Sequence, residues 1–161
     1  MTRLVIDELV RGALGELYFK HYCRQHNYLY AKTEDIAKAL TPEKRTVTFT
    51  LGFERVPIQI PKEMTTEVFR AAQSTSENGA SYVVDFLTCT NWKQNVGADP
   101  QDYAWVEVKT GRSDLSYNQQ RFRDECWLRF CIFRIPNVWS PPRYVQVVWE
   151  EDQPMKRRRM G

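Results

Sequence analysis

Two apolar runs of this chain carry charged residues where charge is costly. Asp85 stands inside Tyr82, Val83, Val84, Asp85, Phe86, Leu87, and Glu107 and Lys109 stand two apart inside Tyr103, Ala104, Trp105, Val106, Glu107, Val108, Lys109. Side chains alternate across a strand, so Glu107 and Lys109 share a face with Trp105 while Val106 and Val108 take the other. If the two runs are neighbouring strands, two carboxylates and an amine converge. Charges in a half-buried sheet are tolerated when each is paired or holds a metal ion, so the pattern reads as a site. Two plainer readings stand beside it: Asp85 as a strand-end acid that is solvated or paired with an arginine, and Glu107 and Lys109 as solvated charges on an exposed edge strand. Other chemistry is scarce. His21 and His26 are five apart, off the spacing that puts two ligands on one helical face. There is no glycine-rich phosphate loop and no serine or cysteine in a nucleophile setting, which leaves metal-assisted hydrolysis.

The elements that must hold these residues follow from periodicity. From Leu4 to Tyr22, Ile6, Leu9, Val10, Ala13, Leu14, Leu17 and Tyr18 recur at three and four, which predicts a first helix buried on that face and stopped near Asn27. Tyr28 to Tyr30 reads as a short strand, Thr33 to Ala39 as one or two helical turns, and Thr46 to Thr50 with Val56 to Ile60 as a hairpin around Gly52. A helix over Thr65 to Ala72 comes next. Ser74 to Ser81 and Asn91 to Gln101 are loops around the Asp85 strand. After Lys109, the stretch Thr110 to Asp114 is turn chemistry, and Leu115, Gln119, Phe122 and Cys126 mark a second helix. Strands follow at Arg129 to Ile135 and Arg143 to Trp149. This order predicts an α/β domain, a mixed central sheet flanked by helices.

At 161 residues one domain is expected, over 1–152, with a basic C-terminal tail over 153–161. A hydrophobic fraction of 42% with 13% aromatics is that of a folded chain. The net charge of +3 is compatible with a polyanionic partner without requiring one. No apolar stretch approaches the roughly 20 residues that span a bilayer, so no membrane insertion is expected. Asp7 and Glu8 interrupt the N-terminal apolar residues too early for a signal-peptide core, so an intracellular protein is expected, cytoplasmic, or nuclear if eukaryotic or viral. Cys23, Cys89, Cys126 and Cys131 form no C-x-x-C pair and lie in apolar contexts, which favours buried free thiols over zinc ligands or disulfides.

An acid in the first helix (Glu16, within Gly12 to Leu17), Asp85 on one strand and E-V-K (Glu107, Val108, Lys109) on the next resemble the PD-(D/E)XK nuclease superfamily. The stretch from Trp105 to Phe122, W-V-E-V-K-T-G-R-S-D-L-S-Y-N-Q-Q-R-F, is similar to the virus-type replication-repair nuclease (VRR-NUC) pattern, and Glu16 to the helix-one glutamate of archaeal Holliday junction resolvases. The resemblance implies a restriction-endonuclease-like core and a metal-dependent endonuclease that hydrolyses DNA phosphodiesters, structure-specific in the manner of junction resolvases. It implies Asp85, Glu107 and the Val108 backbone carbonyl as ligands of Mg²⁺ or Mn²⁺, and Lys109 beside the attacking water and the phosphate. Glu16 would reach the metal directly or through water, and Gln119 would position Lys109 or the substrate backbone. Glu16 also reads as a boundary glutamate, and Gln119 as the partner of Ser116 in a capping box.

Arg112, Arg121 and Arg123, just past the E-x-K strand, form either a basic rim for phosphates or solvated helix charges. Lys156, Arg157, Arg158 and Arg159 either add non-specific affinity for nucleic acid or form a frayed terminus or a nuclear address. Relatives often work as homodimers, which implies a second copy as partner. The chain departs from compact resolvases in the distance from first helix to Asp85. That marks 32–77 as an insertion, whose hairpin and helix would contact substrate, a partner or a second subunit. The strand motif also lacks a proline before Asp85. The reading of a different class is a catalytically inactive module that keeps the nuclease fold and binds nucleic acid or a protein partner.

Overall fold

The computed structural model describes residues 2–39, 43–74, 82–92, 99–140 and 144–156 of the chain. Helix α1 (Thr2–His26) runs past the expected Leu4–Tyr22 at both ends. It stops where Asn27 takes a left-handed φ of 57°. The Tyr28 N–H then donates to the Cys23 carbonyl at 2.8 Å, and the Asn27 N–H to that of Arg24 at 3.4 Å. This closure satisfies carbonyls that the last turn would leave bare, and it feeds the chain into strand β1 (Leu29–Lys32).

Next come helix α2 (Thr33–Ala39), strands β2 (Thr46–Leu51) and β3 (Glu54–Gln59), and helix α3 (Thr65–Gln73). Then follow β4 (Phe86–Cys89), β5 (Tyr103–Thr110), helix α4 (Tyr117–Glu125), β6 (Arg129–Ile135) and β7 (Val148–Gln153). All seven strands join one mixed sheet in the order β3-β2-β1-β4-β5-β6-β7. Neighbours are antiparallel except β5 and β6, which run parallel. The strand beside Asp85 and the E-V-K strand are neighbours, as expected. Helix α1 packs on one face over Phe86, Val106 and Phe133. Residues of α2, α3 and α4 pack on the other over Leu29, Phe49, Trp105 and Phe130. The result is a mixed α/β fold, a central sheet flanked by helices.

The four cysteines are buried and unbridged, as expected from their apolar contexts. Among the described residues no helix is long and apolar enough to cross a membrane.

Three expectations are corrected. Asp85 is not inside a strand: β4 starts at Phe86, which pairs with Lys32, the last residue of β1. Beyond that pair β1 turns into α2, and the Thr33 N–H takes the Asp85 carbonyl at 2.9 Å. The last strand starts at Val148 rather than Arg143. Its ladder ends at the pair Arg134 and Val148, since β6 stops at Ile135 before Pro136, which has no N–H to continue it. Arg143 itself lies outside the described residues.

The third correction concerns the buried face of α1. Gly15, Phe19 and Cys23 face the sheet, whereas Leu9 and Leu17 are 69% and 60% exposed and Val10 is also open. Helix α1 carries two apolar stripes on opposite sides, and periodicity cannot say which one meets the core. The close approach at Gly15 decides it: a Cβ there would stand 3.0 Å from Thr110 Cγ2 and 3.2 Å from Val108 Cγ1.

Candidate functional site

Strands β4 and β5 are antiparallel, and their last pair is Phe86 with Val106. One step further, the two chains present Asp85 and Glu107 to each other. Asp85 accepts the Val108 N–H on Oδ2 at 2.9 Å. That bond places its partly buried carboxylate beside β5 without a ladder pair.

Glu107 is only 5% exposed. Its Oε1 accepts a hydrogen bond from Gln119 Nε2 at 3.0 Å, while Oε2, equally buried, has no partner. Burial pushes both carboxyls above the ordinary carboxylate range. For Glu107 the neighbouring Asp85 charge adds to the rise, and for Asp85 the charge of Glu16 does so. The Lys109 ammonium opposes the rise in both. Two acids this close and this dry favour holding a proton between them or a cation.

Both readings of Gln119 hold at once. Ser116 Oγ accepts the Gln119 N–H at 3.3 Å and Gln119 Oε1 accepts the Ser116 N–H at 2.9 Å, which closes the capping box of α4. Committing Oε1 to the helix cap turns Nε2 toward Glu107. A local folding signal thereby orients a group of the site.

Glu16 follows Gly15 on α1, so the tight packing of that glycine sets it near the sheet end. Its carboxylate pairs with Lys32 Nζ at 3.2 Å. Burial works against the Lys32 charge, but Glu16, Glu34 and Asp85 more than offset this and raise its pKa. Among the described residues no group of three or more His, Cys, Asp or Glu side chains stands ready to hold a metal ion. The two convergent carboxylates are Asp85 and Glu107. Their chemistry suits a hard cation such as Mg²⁺ or Mn²⁺, and the buried, unpartnered Glu107 Oε2 is an oxygen such a cation would satisfy.

The cations expected near the site are divided. Arg112 is exposed in the turn after β5. Arg121 pairs with Glu125 at 3.4 Å, and Arg123 with Asp124 at 3.1 Å and Asp152 at 3.2 Å. Lys156 Nζ donates to the Asp124 carbonyl. Arg157, Arg158 and Arg159 lie outside the described residues. His21 and His26 are exposed on α1.

Sequence reasoning missed two residues. Lys32 reaches the site because β1 inserts between β2 and β4, which no local pattern announces. Glu67 is buried in α3 and accepts from Trp105 Nε1 at 3.0 Å, Trp127 N–H at 2.6 Å and Leu128 N–H at 3.0 Å. Its position among Met64, Val68 and Ala71, all buried at helical spacing, was a signal that could have found it.

Compared with known proteins, the chain matches no family model, no curated protein and no solved structure.

Proposed function

We propose that this chain is a metal-dependent endonuclease that hydrolyses DNA phosphodiesters, on a restriction-endonuclease-like core with residues 32–77 as an addition to it. The observation that carries this reading is the pairing of partly buried Asp85 with buried Glu107, whose Oε2 is left without a hydrogen-bond donor near the charge of Lys109. A buried carboxylate oxygen without a donor costs on the order of 1–3 kcal/mol or more, a cost that a bound cation removes. Asp85, Glu107 and the Val108 carbonyl would hold Mg²⁺ or Mn²⁺. Bound there, the ion would acidify a water molecule and neutralise charge on the scissile phosphate. Lys109, on the same face of β5 as Glu107, orients that water and meets the developing charge. Gln119 fixes the Glu107 carboxylate, and Glu16 adds negative charge beside Asp85.

The test is cleavage of labelled four-way junction, flap, single strand and plain duplex in Mg²⁺ and Mn²⁺, by the native chain and by Asp85→Ala. Cleavage that needs metal and is lost in a folded Asp85→Ala supports the proposal, and the preferred substrate defines its specificity. A second reading, a nuclease-fold module that binds nucleic acid or a protein without cutting, draws support from Glu16. Held by Lys32, it leaves two acids rather than three in the cluster. Binding without cleavage by the folded native chain would favour this reading.

Association as a homodimer belongs to the same proposal. The outer stripe of α1, with Leu9, Val10 and Leu17 exposed, offers an apolar surface for a second copy. Leu17→Glu should leave a monomer in sedimentation if that stripe is the contact.

A further inference from the structure

The hairpin of β2 and β3 extends the sheet past β1, and Thr46, Thr48 and Arg55 are exposed on it. A cleft of about 440 Å³ lies there, between the flank of α1, the end of β1 and the hairpin. Its lining mixes apolar residues such as Tyr30, Ile36, Val47 and Phe86 with four cations, Lys20 from α1, Lys32 from β1, Lys38 from α2 and Arg55 from β3, and with Thr48 from β2 and one acid, Asp35. Lys32 and Lys38 lean on Glu34 at 3.9 and 3.2 Å, and Lys32 also on Glu16. Among the described residues Lys20 and Arg55 have no acidic partner within ion-pair distance.

Two residues that line the cleft, Lys32 and Phe86, stand next to the site, and the exposed ring of Phe53 lies outside the lining at the hairpin tip. Lys32 is the β1 partner of Phe86, the residue next to Asp85. Glu16, Lys20 and Arg24 occupy successive turns along one flank of α1. Arg24 stands over the Phe53 ring at 4.0 Å, and Phe53, at the hairpin tip, is 86% exposed. Unpaired cations, a hydroxyl and an aromatic end make the combination that tracks a single strand, with phosphates in the groove and a base on the ring.

The geometry points to this cleft as the binding track for one nucleic-acid strand, its backbone held by Lys20 and Arg55 and a base stacked on Phe53, with its Lys32 end beside Asp85. This rests on the reading of the site as one that acts on nucleic acid, and it assigns to the hairpin and α2 the role of substrate contact.

The test is fluorescence anisotropy with a labelled single-stranded oligonucleotide and with the matching duplex, in EDTA so that binding is read apart from cutting, across a salt series. Lys20→Ala and Arg55→Ala should each lower the salt slope for the single strand by about 0.7 and weaken binding roughly fivefold at about 0.1 M salt. Lys62→Ala, the same charge change on the exposed turn before α3, should do neither. Phe53→Ala should weaken single-strand binding by about 5- to 150-fold, the loss of one stacked base, and leave duplex binding unchanged. Equal effects of Lys20→Ala and Lys62→Ala, or tighter duplex than single-strand binding, would overturn the inference. If these variants behave as expected but Mg²⁺ never produces cleavage, the track stands and the endonuclease reading falls.

Discussion

Glu67 and Glu107 are two buried glutamates served by the same strand face, and they differ in everything but burial. Trp105 donates its indole N–H to Glu67. Two residues along β5, on the same face, Glu107 has Gln119 as its one donor. Glu67 receives three N–H groups, with Arg70 Nη2 at 3.9 Å. It ties α3 to the segment between α4 and β6, so its charge is a structural joint. Glu107 keeps one bare oxygen, a second acid beside it and a lysine nearby. Burial of a carboxylate therefore does not mark a site. Nor does a bare oxygen alone, since Thr33, Thr65, Thr88 and Tyr103 also bury one; what sets Glu107 apart is a second acid and a lysine beside it.

The contrast can be broken most sharply at Glu107. Glu107→Gln should lower metal-dependent cleavage by about a thousandfold or more, on the scale of losing a principal transition-state contact, while the melting temperature holds or rises. Single-turnover cleavage and calorimetry on one preparation check both halves, and a large drop in melting temperature would make Glu107 a second structural joint. Glu67→Ala should destabilise the fold by about 3–5 kcal/mol, because the three N–H groups and Arg70 lose their acceptor. Urea unfolding measures it, and metal affinity should not change. Gln119→Ala should weaken metal binding by about 10- to 100-fold, as loss of a group that orients a ligand does. Losing the cap contact should cost about 1 kcal/mol besides. Titration calorimetry with Mn²⁺ separates the two effects.

The smallest effect is one of pH. Folding raises the proton affinity of Asp85 and Glu107, so between their ordinary carboxylate range and their raised values the native state binds more protons than the unfolded one. Metal-free stability therefore falls as pH rises through that window and levels off above it. Glu107→Gln should flatten that slope.

Much of this was legible in the chain. The E-V-K strand, the hairpin around Gly52, the Asn27 stop and the Ser116 to Gln119 cap all depend on local periodicity or on side chains reaching their own backbone, and each lies where its pattern put it. Phe122 is buried on α4, and Leu115 just before its cap and Cys126 at its C-terminal cap are buried with it, although the spacing had placed all three on the helix.

What the chain could not reveal by itself is whatever depends on a neighbour distant in sequence. Helix α1 has two apolar stripes, and only the approach of Gly15 to Val108 and Thr110 chose the inner one. The start of β4 at Phe86 was fixed by the end of β1, and the start of β7 by the end of β6. Lys32 meets Glu16 because β1 threads between β2 and β4. Local patterns determined which residues carry charge into the sheet, since alternation is a property of the backbone. The tertiary structure alone decided which of those charges found donors, since donors come from elements far away along the chain.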